Sequence, residues 1–303
     1  MPRHFSVFAI CGMFVTASFM NATPAAKAAS SSTAGPAVDA RYDTTHVYVA
    51  PQDLDRFVAS FVATFGGMST KQVVTTVTPA ESRTTSQAVL TPVGNLSVFG
   101  YETPVPYPFG SERTGYLVDD MDGALKAARA AGAAITVAPF NDPIGRDAVI
   151  QWPGGVDMQL YWHTTAPSLP RLRSIPENRV YVSPDSATEF VRDFISFAHG
   201  KVLSDDSQAP GEEIGEPAAT YRRIRIESGF GRMVLLVTDG HLPYPYGREL
   251  TGYEVDDLGD TLRKATAAGA TVLVQPYESE GRVAAIVAFP GGYVAEVHAL
   301  VQR

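Results

Sequence analysis

Only one of the 303 residues is cysteine, only two are tryptophan, and only 18% are charged. The cysteine, Cys11, sits in an apolar stretch near the N-terminus. Beyond it the chain has no disulfide, no thiolate metal site and no cysteine nucleophile, so its stability must come from its core. Long apolar runs are also missing. The longest, FSVFAICGMFVTASFM, has 16 residues, short of the roughly 20 a spanning helix needs. Basic residues are outnumbered, 24 Lys and Arg against 32 Asp and Glu, for a net charge of −8. This argues against nucleic acid as a partner, since binding it requires clustered cations that displace counterions. G-x-S-x-G, a P-loop, G-x-G-x-x-G after a strand and H-E-x-x-H are all absent. What remains is ordinary globular composition, 45% hydrophobic, with enough apolar surface to offset chain entropy and length for two domains.

The N-terminus reads as an export signal. Arg3 and His4 form a short polar region, the apolar stretch follows, and Ala26-Lys27-Ala28 is an A-x-A cleavage site. Residues 1–28 are expected to be removed, leaving a periplasmic or secreted protein without a membrane segment. Losing Arg3 and Lys27 takes the net charge from −8 to −10. Residues 29–43, rich in Ala, Ser and Gly, read as a flexible leader.

An internal repeat organises the rest. TGYLVDD (114–120) recurs as TGYEVDD (251–257), PYPFG (106–110) as PYPYG (243–247), and WPGG (152–155) as FPGG (289–292), all at an offset of 137. HVYVAP (46–51) recurs as RVYVSP (179–184) at an offset of 133. The chain is therefore a tandem duplication, with one copy at 44–164, a proline-bearing linker at 165–176 and a second copy at 177–303. Each copy divides again. THVYVA alternates as a strand does. Phe57, Val58, Phe61, Val62 and Phe65 mark one face of a helix ended by Gly66-Gly67. KQVVTTVT, SQAVLTP and LSVFGYE are three further strand candidates. The order then restarts at TGYLV, with an Ala-rich helix from Asp120 stopped by Gly132. The pattern is βαβββ, four times, and the expected class is α+β. The acidic run DDSQAPGEEIGE (205–216) reads as a solvated loop.

These features resemble the vicinal oxygen chelate superfamily, which includes glyoxalase I, bleomycin- and fosfomycin-resistance proteins and extradiol dioxygenases. The resemblance rests on HVYVAP followed by DL and a helix ending FGG, on VDD before the second helix, on AAGAAITVAPF, and on PGGVDMQL near the end of the copy. It implies that the four modules form two tandem half-open barrels of eight strands. A divalent metal, where one is used, is held by one ligand near the start of the first strand of each module and one on its last strand. Such an ion, left with open positions, polarises a substrate with vicinal oxygens.

Carried over residue by residue, the resemblance gives an incomplete set. The first-strand positions fall on His46, Arg113, Arg179 and Leu250. The last-strand positions offer Gln159 and Glu296, with Glu102 and Asp239 only at strand ends. Candidate metal ligands are therefore His46, Gln159, Glu296 and His298, the last sharing a strand face with Glu296. Each has a plainer reading as a cavity or surface residue. Arg113 and Arg179 are candidates to clamp an anionic ligand, or else solvated residues at a strand edge. Tyr161, on the face of Gln159 and His163, is a candidate for hydrogen bonding to a ligand. The expected partner is a small molecule bound in a cavity of each copy, with a divalent metal as the implied cofactor. The activity implied is that of a metal-dependent lyase, isomerase or dioxygenase. The alternatives are a metal-free small-molecule binding protein with degenerate metal sites, or an interaction module with filled barrels. Sequential pairing of modules would separate His46 from Glu296; pairing the first with the fourth would unite them.

Overall fold

The structure is a computed structural model that describes residues 35–301. The expected signal peptide and the start of the leader lie outside these residues. The first copy contributes β1 (Thr44–Val49), α1 (Leu54–Phe65), β2 (Met68–Ser69), β3 (Val73–Thr75), β4 (Thr84–Thr91), β5 (Gly94–Tyr101), β6 (Thr114–Leu117), α2 (Met121–Ala130), β7 (Ala134–Asn141), β8 (Gly145–Gln151) and β9 (Asp157–His163). The second contributes β10 (Glu177–Val182), α3 (Pro184–Ala198), β11 (Lys201–Pro210), β12 (Thr220–Ser228), β13 (Gly231–Val237), β14 (Leu250–Glu254), α4 (Leu258–Ala267), β15 (Thr271–Ser279), β16 (Arg282–Ala288) and β17 (Val294–Leu300).

Each copy makes one curled sheet. The first runs β2-β4-β5-β1-β6-β9-β8-β7 with β3 on β4, and the second β11-β12-β13-β10-β14-β17-β16-β15. Within a module the first and last strands pair in parallel, as in β1 with β5 and β6 with β9. The modules join through antiparallel contacts of β1 with β6 and β10 with β14. Modules therefore pair sequentially, and His46 and Glu296 belong to different sheets.

The repeated motifs have local causes. The second aspartate of each VDD is an N-cap: Asp120 accepts from the Asp122 amide and Asp257 from that of Asp260, each satisfying an otherwise unpaired donor. The paired glycines of WPGG and FPGG, Gly154-Gly155 and Gly291-Gly292, all have φ between 84° and 88°. That is left-handed backbone that a β-carbon would strain. The aromatic residue before each turn enters the core.

The main cores do not follow the duplication. One joins α2 and the backs of β6, β8 and β9 to α3 and the backs of β10, β12 and β13. The other joins α1, β1 and β5 to α4, β14, β16 and β17. Trp152 packs on Phe194 and Phe197 of α3, at 5.9 and 5.2 Å between ring centroids. Its repeat counterpart Phe289 packs on Phe57 and Phe61 of α1, at 6.2 and 5.1 Å. Sheets thus form from neighbouring modules, while helices are buried by reciprocal ones, the first with the fourth and the second with the third.

Three segments differ from the sequence reading. Residues 37–43, expected within a flexible leader, are tied down: Ala37 bridges Val118, Asn95 donates to the Arg41 carbonyl, and Tyr161 donates to the Tyr42 carbonyl. KQVVTTVT yields only the short β3. The acidic run 205–216 is a strand end and a 3-10 turn rather than a solvated loop. It is drawn in because Asp205 and Asp206 meet Arg222 and Arg223 on β12, and Glu213 is buried against Arg223. The linker is docked too, with the Arg173 amide on the Pro92 carbonyl and Ser174 on the Glu254 carbonyl.

Candidate functional site in the two lumens

Strand alternation sends one set of side chains to the helices and the other into the curl of each sheet. On β1, Val47 and Val49 join the core while His46 and Tyr48 face the lumen. On β5, Leu96 and Val98 are core residues, which leaves Phe99 and Tyr101 on the lumen side. On β9, Gln159 and Tyr161 share the lumen face with His163, whose ring lies 4.9 Å from that of Tyr161.

The first lumen centres on Glu112, which sequence reasoning missed. It comes from the loop after PYPFG and is completely buried. Its Oε1 accepts from the Tyr48 hydroxyl and stands 3.4 Å from His46 Nδ1. Its Oε2 is buried without a partner. The signal was available, because Glu112 recurs as Glu249 at the repeat offset of 137. Aromatic rings line the approach. Phe99 meets His46 and Tyr48 at 5.4 Å in each case, and Tyr48 stacks on Tyr101 at 6.0 Å. Tyr48, Phe99 and Tyr101 are all partly exposed. Burial, reinforced by Glu112, raises the Tyr48 hydroxyl well above the phenol range. Asp147, hydrogen-bonded to Gln159, is also pushed up, first by burial and then by Asp142.

The second lumen is filled by charge. Arg179 occupies the position of His46, buried 3.8 Å from both Glu177 and Glu296. Arg282 grips Glu177 with two hydrogen bonds of 2.8 and 2.9 Å. Glu296 Oε2 lies 2.8 Å from His298 Nδ1. Further along, Arg223 joins Glu213 and Glu280, and Tyr221 donates to Glu213 at 2.6 Å. Burial opposes ionisation of Glu177, yet Arg282 and then Arg179 outweigh it and hold the carboxyl at about 2. Burial likewise works against the Arg179 charge, and Glu296 leads the groups that raise its pKa regardless.

Several expected residues sit elsewhere in the scheme. Arg113 is not in a lumen group. It lines a cavity of about 10 Å³ between the sheets, together with Glu249, Asp157 and Asn178, with room for about one water. Glu249, partly exposed yet surrounded by protein, is pushed up to about 8 by burial, with Arg113 opposing. Nor is Arg179 at a solvated edge. The first strands of the second and fourth modules present glycine to the lumen: Gly115 pairs with Gln159 and Gly252 with Glu296. A β-carbon on Gly115 would lie 2.6 Å from His46 Nε2, and one on Gly252 2.7 Å from Glu296 Oε2.

These donor sets do not fit a divalent metal. The first lumen has His46, engaged by Glu112, with Gly115 against its Nε2 and Arg113, which cannot ligate a metal, at the facing register position. The second has a guanidinium between its carboxylates, where a second cation would be repelled. Among the described residues no three His, Cys, Asp or Glu side chains gather as a metal-binding group.

No family model matches the chain, and no curated protein does. Solved structures do. A mutant of 4-hydroxymandelate synthase from Streptomyces coelicolor aligns with a TM-score of 0.59 at 13% identity, covering 88% of this chain and 93% of its own. The Mn(II)-bound glyoxalase from Novosphingobium aromaticivorans aligns at 0.53 and 13%, covering 88% and 84%. The 2,3-dioxygenase LapB from Pseudomonas sp. KL28 aligns at 0.52 and 12%, covering 88% and 93%. The chain has the vicinal oxygen chelate fold. Within that fold each duplicate supplies one half-open barrel, as the βαβββ pattern implies. At this identity the likeness shows the fold, and the lumens must speak for the chemistry.

Proposed function

We propose that this protein is an exported, metal-independent small-molecule binding protein whose ligand enters the first lumen, the second lumen being a structural counterpart. One contrast carries this reading. Both lumens lack a converging metal-ligand set, but among the described residues only the first sets a run of ring contacts, Tyr48 with Phe99 and Tyr101, beside a buried carboxylate oxygen without a partner. The second is closed by matched Arg–Glu pairs. In the first, Tyr48 and His46 orient Glu112, Gln159 is held by Asp147, and the rings exclude water on one side. The arrangement recognises a ligand without a group poised to break a bond in it. Export rests on the N-terminal signal pattern.

A second reading, metal-dependent chemistry of the glyoxalase type, draws on His46 at a first-strand position and on the Mn(II)-bound glyoxalase of the same fold. One experiment separates the two. Metal content of the purified protein is measured before and after chelation, alongside a thermal-shift ligand screen of wild type and His46→Ala. Binding proceeds unchanged after chelation if the proposal holds. Stoichiometric manganese or iron that disappears with His46→Ala overturns it. N-terminal sequencing of protein from the medium or periplasm tests export, which predicts a start near Ala29.

A further inference from the structure

We infer that the ligand of the first lumen is an organic cation, an amine carried on an aromatic or aliphatic body. This rests on the small-molecule reading above and names the class of ligand. A charge imbalance between the two lumens supports it. In the second, Arg179, Arg223, Arg225 and Arg282 answer Glu177, Glu213, Glu280 and Glu296. In the first, the Glu112 carboxylate is buried on the lumen side with His46 3.4 Å away, and no Lys or Arg among the described residues lies within ion-pairing distance of it. The arginine ion pairs of this half, Arg41 with Asp39, Arg56 with Asp53, Arg83 with Glu102 and Arg146 with Asp122, are peripheral, on partly or fully exposed guanidiniums.

The unpaired atom is the second observation. Glu112 Oε2 is buried and accepts nothing, while Oε1 is already held by Tyr48. A buried carboxylate oxygen left bare is costly, and an ammonium donor repays that cost most fully because the hydrogen bond is charge-assisted. The rings supply the remainder. Tyr48, Phe99 and Tyr101 form a continuous wall near this carboxylate, and aromatic faces attract cations. By sheet register Phe99 corresponds to Leu236 and Tyr101 to Thr238 in the second copy, while Tyr48 recurs as Tyr181, so two of the three rings beside the carboxylate are particular to the first lumen, and the tyrosines of the second face Arg179 instead. An anionic ligand would meet the Glu112 carboxylate with no lysine or arginine paired to it.

The test uses three probes of similar shape: phenethylamine, 2-phenylethanol and 3-phenylpropanoate. Each is titrated calorimetrically into the full-length mature protein at neutral pH. The amine is expected to bind saturably and at least tenfold more tightly than the other two. Glu112→Gln, which keeps an acceptor for Tyr48, is expected to lose that preference at least tenfold. If Glu112→Gln does not fold, Tyr101→Leu at the partly exposed rim is expected to weaken the amine several-fold. Equal or tighter binding of the alcohol or acid overturns the cation assignment while leaving the small-molecule reading standing. Amine affinity that is unchanged in both variants overturns it as well. No response to any probe also overturns it, and the small-molecule reading is then judged separately by the thermal-shift screen.

Discussion

Gly252 stands directly against Glu296: a β-carbon added to the glycine would lie 2.7 Å from the Glu296 Oε2 oxygen. The same oxygen is 2.8 Å from His298 Nδ1. Gly252→Ala should therefore push Glu296 out of register with His298 and Arg179. Overpacking of this kind costs about 1–3 kcal/mol. Denaturant titration is the check, and unchanged stability would show that Glu296 can move aside freely. Gly115→Ala should strain the first lumen through His46 in the same way, and there it should also weaken ligand binding.

Arg179→Ala should be far more damaging than its place in a half-open barrel suggests. It leaves Glu177 and Glu296 buried with one cation fewer, and breaking a buried pair from one side costs about 3–5 kcal/mol. Arg179→Met, which fills the space, should lose the same charge and add packing. A double change of Arg179→Met with Glu296→Gln should recover part of the loss. Additive losses in the double-mutant cycle would count against direct coupling.

Two carboxyls should give the stability profile opposite slopes. Glu177 is held at about 2 against an ordinary 4.5, so it contributes above pH 4.5 and its contribution disappears as pH falls toward 2, about 3 kcal/mol in all. Glu249 is raised from 4.5 to about 8, so its contribution is complete below pH 4.5 and is lost as pH rises through 8. Glu249→Gln should flatten the alkaline side, and Glu177→Gln should flatten the acid side from a lower starting stability. Melting temperatures between pH 3 and 9 test both.

The two barrels should not fold apart. Trp152→Ala and Phe289→Ala each remove a ring buried against a helix of the other sheet, at a cost of about 3–5 kcal/mol. A fragment ending in the linker should expose the apolar faces of α1 and α2 that α4 and α3 normally cover. Size-exclusion chromatography and hydrogen exchange should find it aggregated or poorly protected. A stable, well-protected monomer would contradict the shared-core description.

Much of this was legible in the sequence. The offset repeat located four βαβββ modules, and period two and period 3.6 separated strands from helices. Asp120 and Asp257 could be read as helix starts, and Gly66 and Gly132 as stops, because caps and left-handed turns are local demands on a few neighbouring residues. The pairing of Glu296 with His298 on one strand face followed from alternation alone.

Tertiary structure decided the rest. Alternation says that His46 and Tyr48 share a face, but not that Glu112 reaches them from a loop. It cannot say that the His46 ring leans over Gly115, which the β1–β6 register pairs with Thr44, while Arg113, whose carbonyl accepts from the His46 amide, turns to the cavity between the sheets. The acidic run at 205–216 had the composition of a solvated loop, yet Arg223, a buried cation on the neighbouring strand, drew Glu213 inside. The repeat also gave no sign that Trp152 would be covered by α3 and Phe289 by α1. A local pattern records which side of an element is apolar; which distant element covers that side is settled only when all four helices compete to leave water.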